Sequence, residues 1–149
     1  MPKPLFRGVC ASTLTPFRPD GRLDLGRIKP HIDWIIADGA NAISPLGSSG
    51  EFAMLDSDQR RAVLEAAIEA NAGRVPVVAG TAHCTTAETV ELSRHAERAG
   101  ADALLIVPPF SMAPTPLQVA AAVVGIDLLS SRAPAQPTSA TLAPAQERP

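Results

Sequence analysis

The stretch VPVVAGTAHCTTAETVELSRHAERAGADALLIV, residues 75–107, decides the fold. Its first six residues are almost wholly apolar, which is typical of a parallel strand covered on both faces. Thr85-Thr86-Ala87-Glu88 then has the pattern of a helix capping box, and Gly100 suits the end of that helix. A second apolar run at 103–107 follows. Strand, helix and strand in this order predict one βαβ unit of a parallel sheet.

The same alternation extends towards the N-terminus. Strands are predicted at 9–13 and 41–45, joined by a helix that begins near Asp24 and ends at Gly39. Pro30 either kinks this helix or lies in its first turn, because an internal proline removes a helix hydrogen bond. The next helix is expected to begin at Asp56, with Gln59 completing a capping box. Its apolar stripe consists of Ala62, Val63, Ala66, Ala67 and Ala70.

The resulting order β-α-β-α-β-α-β predicts an α/β fold. No glycine-rich dinucleotide fingerprint follows the first strand, so a (β/α)8 barrel fits at least as well as a doubly wound sheet. A whole barrel takes about 250 residues, and this chain has 149. We therefore expect a partial TIM barrel of about the first four βα units.

Three segments are expected along the chain. Residues 1–118 form the N-terminal half of the barrel, and 119–129, VAAAVVGIDLL, form a short apolar helix. Residues 130–149 have one large aliphatic residue, Leu142, and four prolines. Such a segment cannot bury enough apolar surface to offset its ordering entropy, so it is predicted to be a low-complexity disordered tail.

Composition and charge exclude several classes of partner. The net charge is −2 and the calculated pI is about 5.9, which argues against nucleic acid and anionic membrane surfaces, because both select a concentrated basic face. There is no membrane-length apolar run and no signal peptide, so the chain is expected to be cytoplasmic. Cys10 and Cys84 lack metal-type spacing and are predicted to be buried free thiols. No metal and no cofactor are expected.

The segment Gly47-Ser48-Ser49-Gly50-Glu51 follows the second predicted strand and is the candidate binding site. Two hydroxyls and adjacent backbone N–H groups in a glycine-rich turn make an anion-binding concavity. Barrel active sites lie at the carboxyl ends of the strands, where this turn is placed. Gly47, Ser48 and Ser49 are therefore predicted to bind a carboxylate. Glu51 is interpreted as structural, since its charge would oppose an anionic ligand.

Four segments in order resemble one enzyme family. They are Gly8-Val9 with Thr15-Pro16-Phe17, then 47–51, then Pro76-Val77-Val78-Ala79-Gly80-Thr81, and then Leu104-Leu105-Ile106-Val107-Pro108-Pro109-Phe110. Over about residues 6–118 the chain resembles the dihydrodipicolinate synthase / N-acetylneuraminate lyase family of pyruvate-dependent class I aldolases. The resemblance implies a Schiff-base lyase acting on pyruvate or a related 2-keto acid, with hydroxyls at Ser48 and Ser49 binding the keto-acid carboxylate. It also implies a homo-oligomer.

The resemblance implies two catalytic groups that this chain lacks. In the family a tyrosine on strand five relays protons, and a lysine on strand six forms the Schiff base. The chain has no tyrosine, and its two lysines are Lys3, ahead of the first strand, and Lys29, in the first helix. We therefore expect no catalytic residue, and a chain truncated or shifted out of frame near residue 118 that is inactive alone. Whether it is itself an enzyme stays open.

Two further alternatives stay open. The loop after the fourth strand often carries a tyrosine in dihydrodipicolinate synthases, whereas here it begins Phe110-Ser111-Met112. A related aldolase, lyase or dehydratase acting on another keto acid is therefore an equal alternative. The second alternative is a non-catalytic half-barrel that self-associates through its open strand edges and binds a small carboxylate.

Overall fold

The computed structural model describes residues 4–107, in which four strands and three helices alternate. In chain order they are β1 Cys10–Ser12, α1 Ile28–Ala37, β2 Ala42–Ser44, α2 Ser57–Asn71, β3 Val78–Gly80, α3 Thr86–Ala99 and β4 Ala103–Leu105. Single 3-10 turns cover Leu25–Arg27, Ser48–Gly50 and Phe52–Met54. The predicted order of elements is confirmed, although each strand is shorter than its apolar run. The predicted helix at 119–129 and the predicted tail at 130–149 lie outside the described residues.

The strands form one parallel array in the order β1-β2-β3-β4. β1 pairs with β2 in the register Cys10↔Ala42, and β3 pairs with β4 in the register Val78↔Ala103. A parallel bridge between Ile43 and Val77 joins the two pairs. Among residues 4–107, β1 and β4 therefore each have one neighbouring strand.

The core lies between this array and the three helices. One face of the strands contributes Ile43, Val77 and Ala79, and α1 contributes Ile32, which is fully buried. The outer strands add Ala11 and Leu104 to the same face. Strand side chains alternate between faces, so Cys10, Ser12 and their counterparts point to the opposite face, the interior of a barrel. No helix within the described range is long and apolar enough to cross a membrane.

The beginning of α1 resolves the two alternatives for Pro30. A 3-10 turn at Leu25–Arg27 follows Asp24, and α1 itself begins at Ile28. Pro30 consequently lies in the first turn, where its missing N–H would have no intrahelical acceptor. At the other end the C-cap is Asp38, and Gly39 follows it with φ 101°.

Of the two predicted capping boxes, one forms completely. At α2 the Gln59 N–H donates to Oδ1 of Asp56 at 2.8 Å, and the Asp56 N–H donates to Oε1 of Gln59 at 3.0 Å. At α3 the Glu88 N–H donates to Oγ1 of Thr85 at 3.3 Å, but the Glu88 carboxylate accepts from the hydroxyl of Ser57 on α2 instead. The prediction of a reciprocal box was wrong there, because a partner on a neighbouring helix competes for the carboxylate.

Two further expectations are corrected. Cys10 and Cys84 are free thiols as predicted, but both are exposed. Cys10 lies on an outer strand, on the face away from the helices, and Cys84 lies in the loop after β3. Trp34 is 64% exposed and stacks with His31 on α1. It is therefore not a core residue.

Gly80 permits the closest backbone approach in the array. A Cβ at this position would lie 2.0 Å from the carbonyl oxygen of Leu46, in the loop after β2. The Gly80 N–H also donates to the carbonyl of Pro45 at 2.9 Å. Since a backbone atom cannot move aside as a flexible side chain can, only glycine fits.

We predict that Gly80→Ala lowers the free energy of unfolding by about 2–4 kcal/mol, through overpacking against the backbone. Urea denaturation followed by circular dichroism measures the change. Gly26→Ala is the matched control, because a Cβ there meets only Asp24 Oδ1 at an ordinary 3.5 Å. If the two variants were equally stable, the backbone around Leu46 would have moved to accommodate the Cβ at position 80 without cost, and the prediction would be wrong.

His31 connects α1 to the segment after β1. The Leu14 N–H donates to Nε2 of His31 at 3.0 Å, which requires an unprotonated Nε2. Partial burial lowers the pKa of His31 below its ordinary value. Both observations favour the neutral imidazole in the folded chain.

We predict that the stabilisation from His31 is complete above about pH 6.5, the ordinary histidine pKa. It is lost as the pH falls from there through the lowered pKa, because the unfolded chain then binds more protons. The free energy of unfolding of the wild type should fall more steeply between pH 7 and pH 5 than that of His31→Gln, whose amide accepts a hydrogen bond without titrating. Parallel pH profiles would contradict this role.

Candidate functional site

The candidate site is the turn at residues 47–51, at the carboxyl end of β2. Both ends have a left-handed backbone: Leu46, which precedes the turn, has φ 61°, and Glu51, its last residue, has φ 54°. Left-handed conformations are unfavourable for residues with a Cβ and persist where the surroundings impose them. The turn is closed by the Gly50 N–H, which donates to the Gly47 carbonyl at 3.0 Å, and by the Glu51 N–H, which donates to the Ser48 carbonyl at 3.1 Å.

The segment after β1 holds this turn in place. The hydroxyl of Thr15, which is buried, donates to the Gly50 carbonyl at 2.6 Å. A Cβ on Gly50 would lie 3.1 Å from the Thr13 carbonyl, and a Cβ on Gly47 would lie 3.1 Å from Oγ of Ser12. Both glycines therefore let the turn pack closely against the carboxyl end of β1.

Ser48 and Ser49 are exposed and lie between buried Gly47 and Gly50. Within residues 4–107 neither hydroxyl has a hydrogen-bond partner, and neither backbone N–H donates to an acceptor. The three sequence-predicted residues thus lie together at the barrel mouth, and the two serines present unused donors there. Donors of this kind are suited to binding an anion.

A cleft of about 380 Å³ adjoins the turn. It is lined by Ser48, Glu51, Phe52, Ala53, Met54 and Val107. Glu51 places an exposed carboxylate in this lining, and among the described residues this carboxylate has no hydrogen-bond or ion-pair partner. An anion bound beside Ser48 would meet this like charge, which water and the serine donors would have to offset.

Arg60 contributes to the wall of this cleft, and the pattern of apolar residues in the sequence did not reveal it. Its residue exposure is 2%, its guanidinium lies 5.3 Å from the centre of the Phe52 ring, and Nη2 donates to the Gly80 carbonyl at 3.3 Å. Burial lowers the pKa of Arg60, and the charge of Glu88 partly offsets this effect. The signal in the sequence is its spacing, since position 60 lies three and four residues before the buried Val63 and Leu64. Arg60 links the wall of the cleft to the end of β3.

His83, at the same face, has a local structural role. Its Nδ1 lies 3.2 Å from Oγ1 of Thr85 and accepts from the Thr85 N–H at 3.2 Å. The backbone N–H of His83 donates to the Thr89 hydroxyl at 3.1 Å. These contacts stabilise the beginning of α3.

The described residues supply no amine at the barrel mouth. Lys29 lies on α1, where Nζ contacts Oδ2 of Asp33 at 2.6 Å and the side chain is exposed. Lys3 lies outside the described residues. Between residues 4 and 107 no group of three histidine, cysteine or acidic side chains is arranged to hold a metal ion.

Comparison with known proteins agrees with this architecture. The model of the dihydrodipicolinate synthetase family matches residues 5–140. The chain belongs to this family. Curated relatives include the 4-hydroxy-tetrahydrodipicolinate synthase of Rhizobium meliloti, 40% identical over 111 residues, and that of Bradyrhizobium diazoefficiens, 43% identical over 113 residues.

Solved structures extend the similarity to three dimensions. The dihydrodipicolinate synthase of Aquifex aeolicus has a TM-score of 0.78 at 31% identity, with 85% of this chain and 43% of the other covered. YagE, a prophage protein of E. coli K12 solved in complex with pyruvate, has a TM-score of 0.77 at 34% identity, with 83% and 42% covered. The expected fold, a partial (β/α)8 barrel, is confirmed.

The extent of the match is limited. The alignments to the two curated relatives cover 74% and 76% of this chain but 38% of each relative. The chain thus spans well under half the length of the proteins that it matches. It carries an aldolase-type N-terminal portion, the part that contains the turn at 47–51.

Proposed function

We propose that Gly47, Ser48 and Ser49 bind the carboxylate of pyruvate or a related small 2-keto acid. The observation that carries the proposal is the pair of exposed serines whose hydroxyls and N–H groups have no partner among the described residues. Hydrogen bonds to an ionised carboxylate are stronger than neutral ones, so donors placed together there favour an anionic ligand. Support comes from family members solved with pyruvate, YagE and the Acinetobacter baumannii dihydrodipicolinate synthase.

In this proposal, the complete family site carries out a Schiff-base lyase reaction. Residues 47–49 provide only the part of that site that binds the carboxylate. A Schiff base needs a neutral amine, held near the keto carbon. Lys29 lies on α1, where its side chain is exposed and its Nζ contacts Oδ2 of Asp33 at 2.6 Å. We therefore propose that the 149-residue chain does not complete the reaction alone. The cytoplasmic location expected from the sequence is part of this proposal.

A second candidate function is a non-catalytic half-barrel that self-associates and binds a small carboxylate. The observation that favours it is the single neighbour of each outer strand among the described residues. An unpaired strand edge presents free N–H and C=O groups that pair readily with another chain. Both candidate functions use the same carboxylate site. In the first, the site belongs to a lyase reaction that other residues complete; in the second, it only binds the carboxylate.

We predict that Ser48→Ala and Ser49→Ala each weaken pyruvate binding by about 10- to 100-fold. This range corresponds to about 1.5–3 kcal/mol for a hydrogen bond to a charged group. Titration with pyruvate, followed by the amide chemical shifts of the turn, measures the dissociation constant. Thr86→Ala, which removes an exposed hydroxyl at the beginning of α3, is the control and should bind as the wild type does. Unchanged binding in both serine variants would place the ligand elsewhere.

We predict that borohydride reduction of the chain in the presence of pyruvate gives no covalent adduct by intact-protein mass spectrometry. The reason is that the described residues supply no amine at the turn, since Lys29 lies on α1 with its Nζ 2.6 Å from Oδ2 of Asp33. A family member known to form the adduct serves as the positive control for the reagent. An adduct mapped by peptide sequencing to Lys3 or Lys29 would contradict the prediction.

A further inference from the structure

Arg60 is a buried cation close to the turn at 47–51. It lies in the first turn of α2, and its residue exposure is 2%. Burial lowers the pKa of its guanidinium, because the charged form loses favourable hydration. Burying a charge costs free energy unless the charge is compensated by polar contacts. An arginine that only filled space here would therefore be unfavourable, and its contacts indicate a further role.

The first contact connects Arg60 to the end of the turn at 47–51. The guanidinium carbon lies 5.3 Å from the centre of the Phe52 ring. Phe52 directly follows Glu51, the last residue of the turn, and begins the 3-10 turn Phe52–Met54. A cation within about 6 Å of an aromatic ring is attracted to its face, and the attraction is stronger where water is excluded. This contact restrains the chain where it leaves the turn.

The second contact connects Arg60 to the beginning of the same turn. Its Nη2 donates to the carbonyl of Gly80, at the carboxyl end of β3, at 3.3 Å. Gly80 packs against the chain that enters the turn, because a Cβ on Gly80 would lie 2.0 Å from the Leu46 carbonyl oxygen and 3.2 Å from the Gly47 nitrogen. A displacement of Gly80 would therefore displace the peptide between Leu46 and Gly47.

One buried side chain is thus connected to both ends of the turn. We propose that Arg60 is a positioning residue, which holds residues 47–51 in the conformation that binds the carboxylate and so sets the affinity of the site. It acts through Phe52 and Gly80 and not by contact with the ligand. Both contacts use its charge, since an aromatic face attracts a cation and an ionised donor makes a stronger hydrogen bond than a neutral one. The proposal rests on the function proposed above for the turn.

Pyruvate affinity in three variants tests this role. Arg60→Met keeps an unbranched apolar side chain but loses the charge and the donors, so pyruvate should bind about tenfold more weakly. Arg60→Lys keeps a cation and a donor and should recover most of this loss, to within about threefold of the wild type. Arg61→Met is the matched control. It removes one positive charge at the next position, but Arg61 pairs with Asp58 and lies 3.8 Å from Glu88, neither of which belongs to the turn.

The amide chemical shifts of the turn give a second measurement, which a purely stabilising residue would not alter. In the ligand-free protein, Arg60→Met should shift the amide signals of Gly47, Ser48 and Ser49, and Arg61→Met should leave them in place. Circular dichroism verifies that each variant is folded. If Arg60→Met does not fold, Arg60→Gln takes its place, because it is neutral but polar, and it should bind pyruvate more weakly than Arg60→Lys.

Two outcomes would overturn the proposal. If the folded Arg60→Met variant binds pyruvate as tightly as the wild type, Arg60 does not set the affinity of the turn. If Arg60→Met and Arg61→Met weaken binding equally, net charge and not the position of the guanidinium is responsible. Failure of the proposed function is a different result, since the wild type would then show no pyruvate binding that depends on Ser48. The shifts of the ligand-free turn would still report whether Arg60 holds it.

Discussion

The close contact between Gly80 and the backbone of Leu46 is the constraint on which the rest of the structure depends. It brings the end of β3 against the loop after β2, with the Gly80 N–H bonded to Pro45. The bridge between Ile43 and Val77 and the Ser44 hydroxyl, which donates to the Val78 carbonyl at 2.9 Å, also join the two strand pairs. Together with them, the Gly80 contact makes one array from two. A larger side chain at position 80 would separate the pairs and displace the turn at the barrel mouth.

The shape of the binding turn follows from that contact. Leu46 is buried and left-handed, a conformation that costs free energy and is maintained by the packing around it. On the other side the Thr15 hydroxyl holds the Gly50 carbonyl. Between these two attachments lie the exposed residues Ser48 and Ser49, whose hydroxyls and N–H groups have no hydrogen-bond partner among residues 4–107. The scaffold thus holds these donors in place, which would reduce the entropy lost on binding the proposed carboxylate.

The opposite face of the same scaffold explains its exposed apolar residues. The helices cover one side of the strands, but the side that would face a barrel interior is open at β1 and β4 among the described residues. Cys10 and Leu105 are exposed for this reason, although their neighbours Ala11 and Leu104 pack on the core. Among residues 4–107, the open interior face at β1 therefore explains the exposed thiol of Cys10.

The sequence by itself determined what depends on residues close together in the chain. The order of elements, the cap at Asp56 and the left-handed Gly100 were predicted correctly, because each depends on partners within about four positions. The turn at 47–51 was located in the same way. Only the tertiary structure decided the partner of Glu88, the burial of Arg60 and the exposure of Cys10. Each of these outcomes depends on whether a residue of another helix or strand lies nearby. The local pattern of residues in the sequence carries no information about such neighbours.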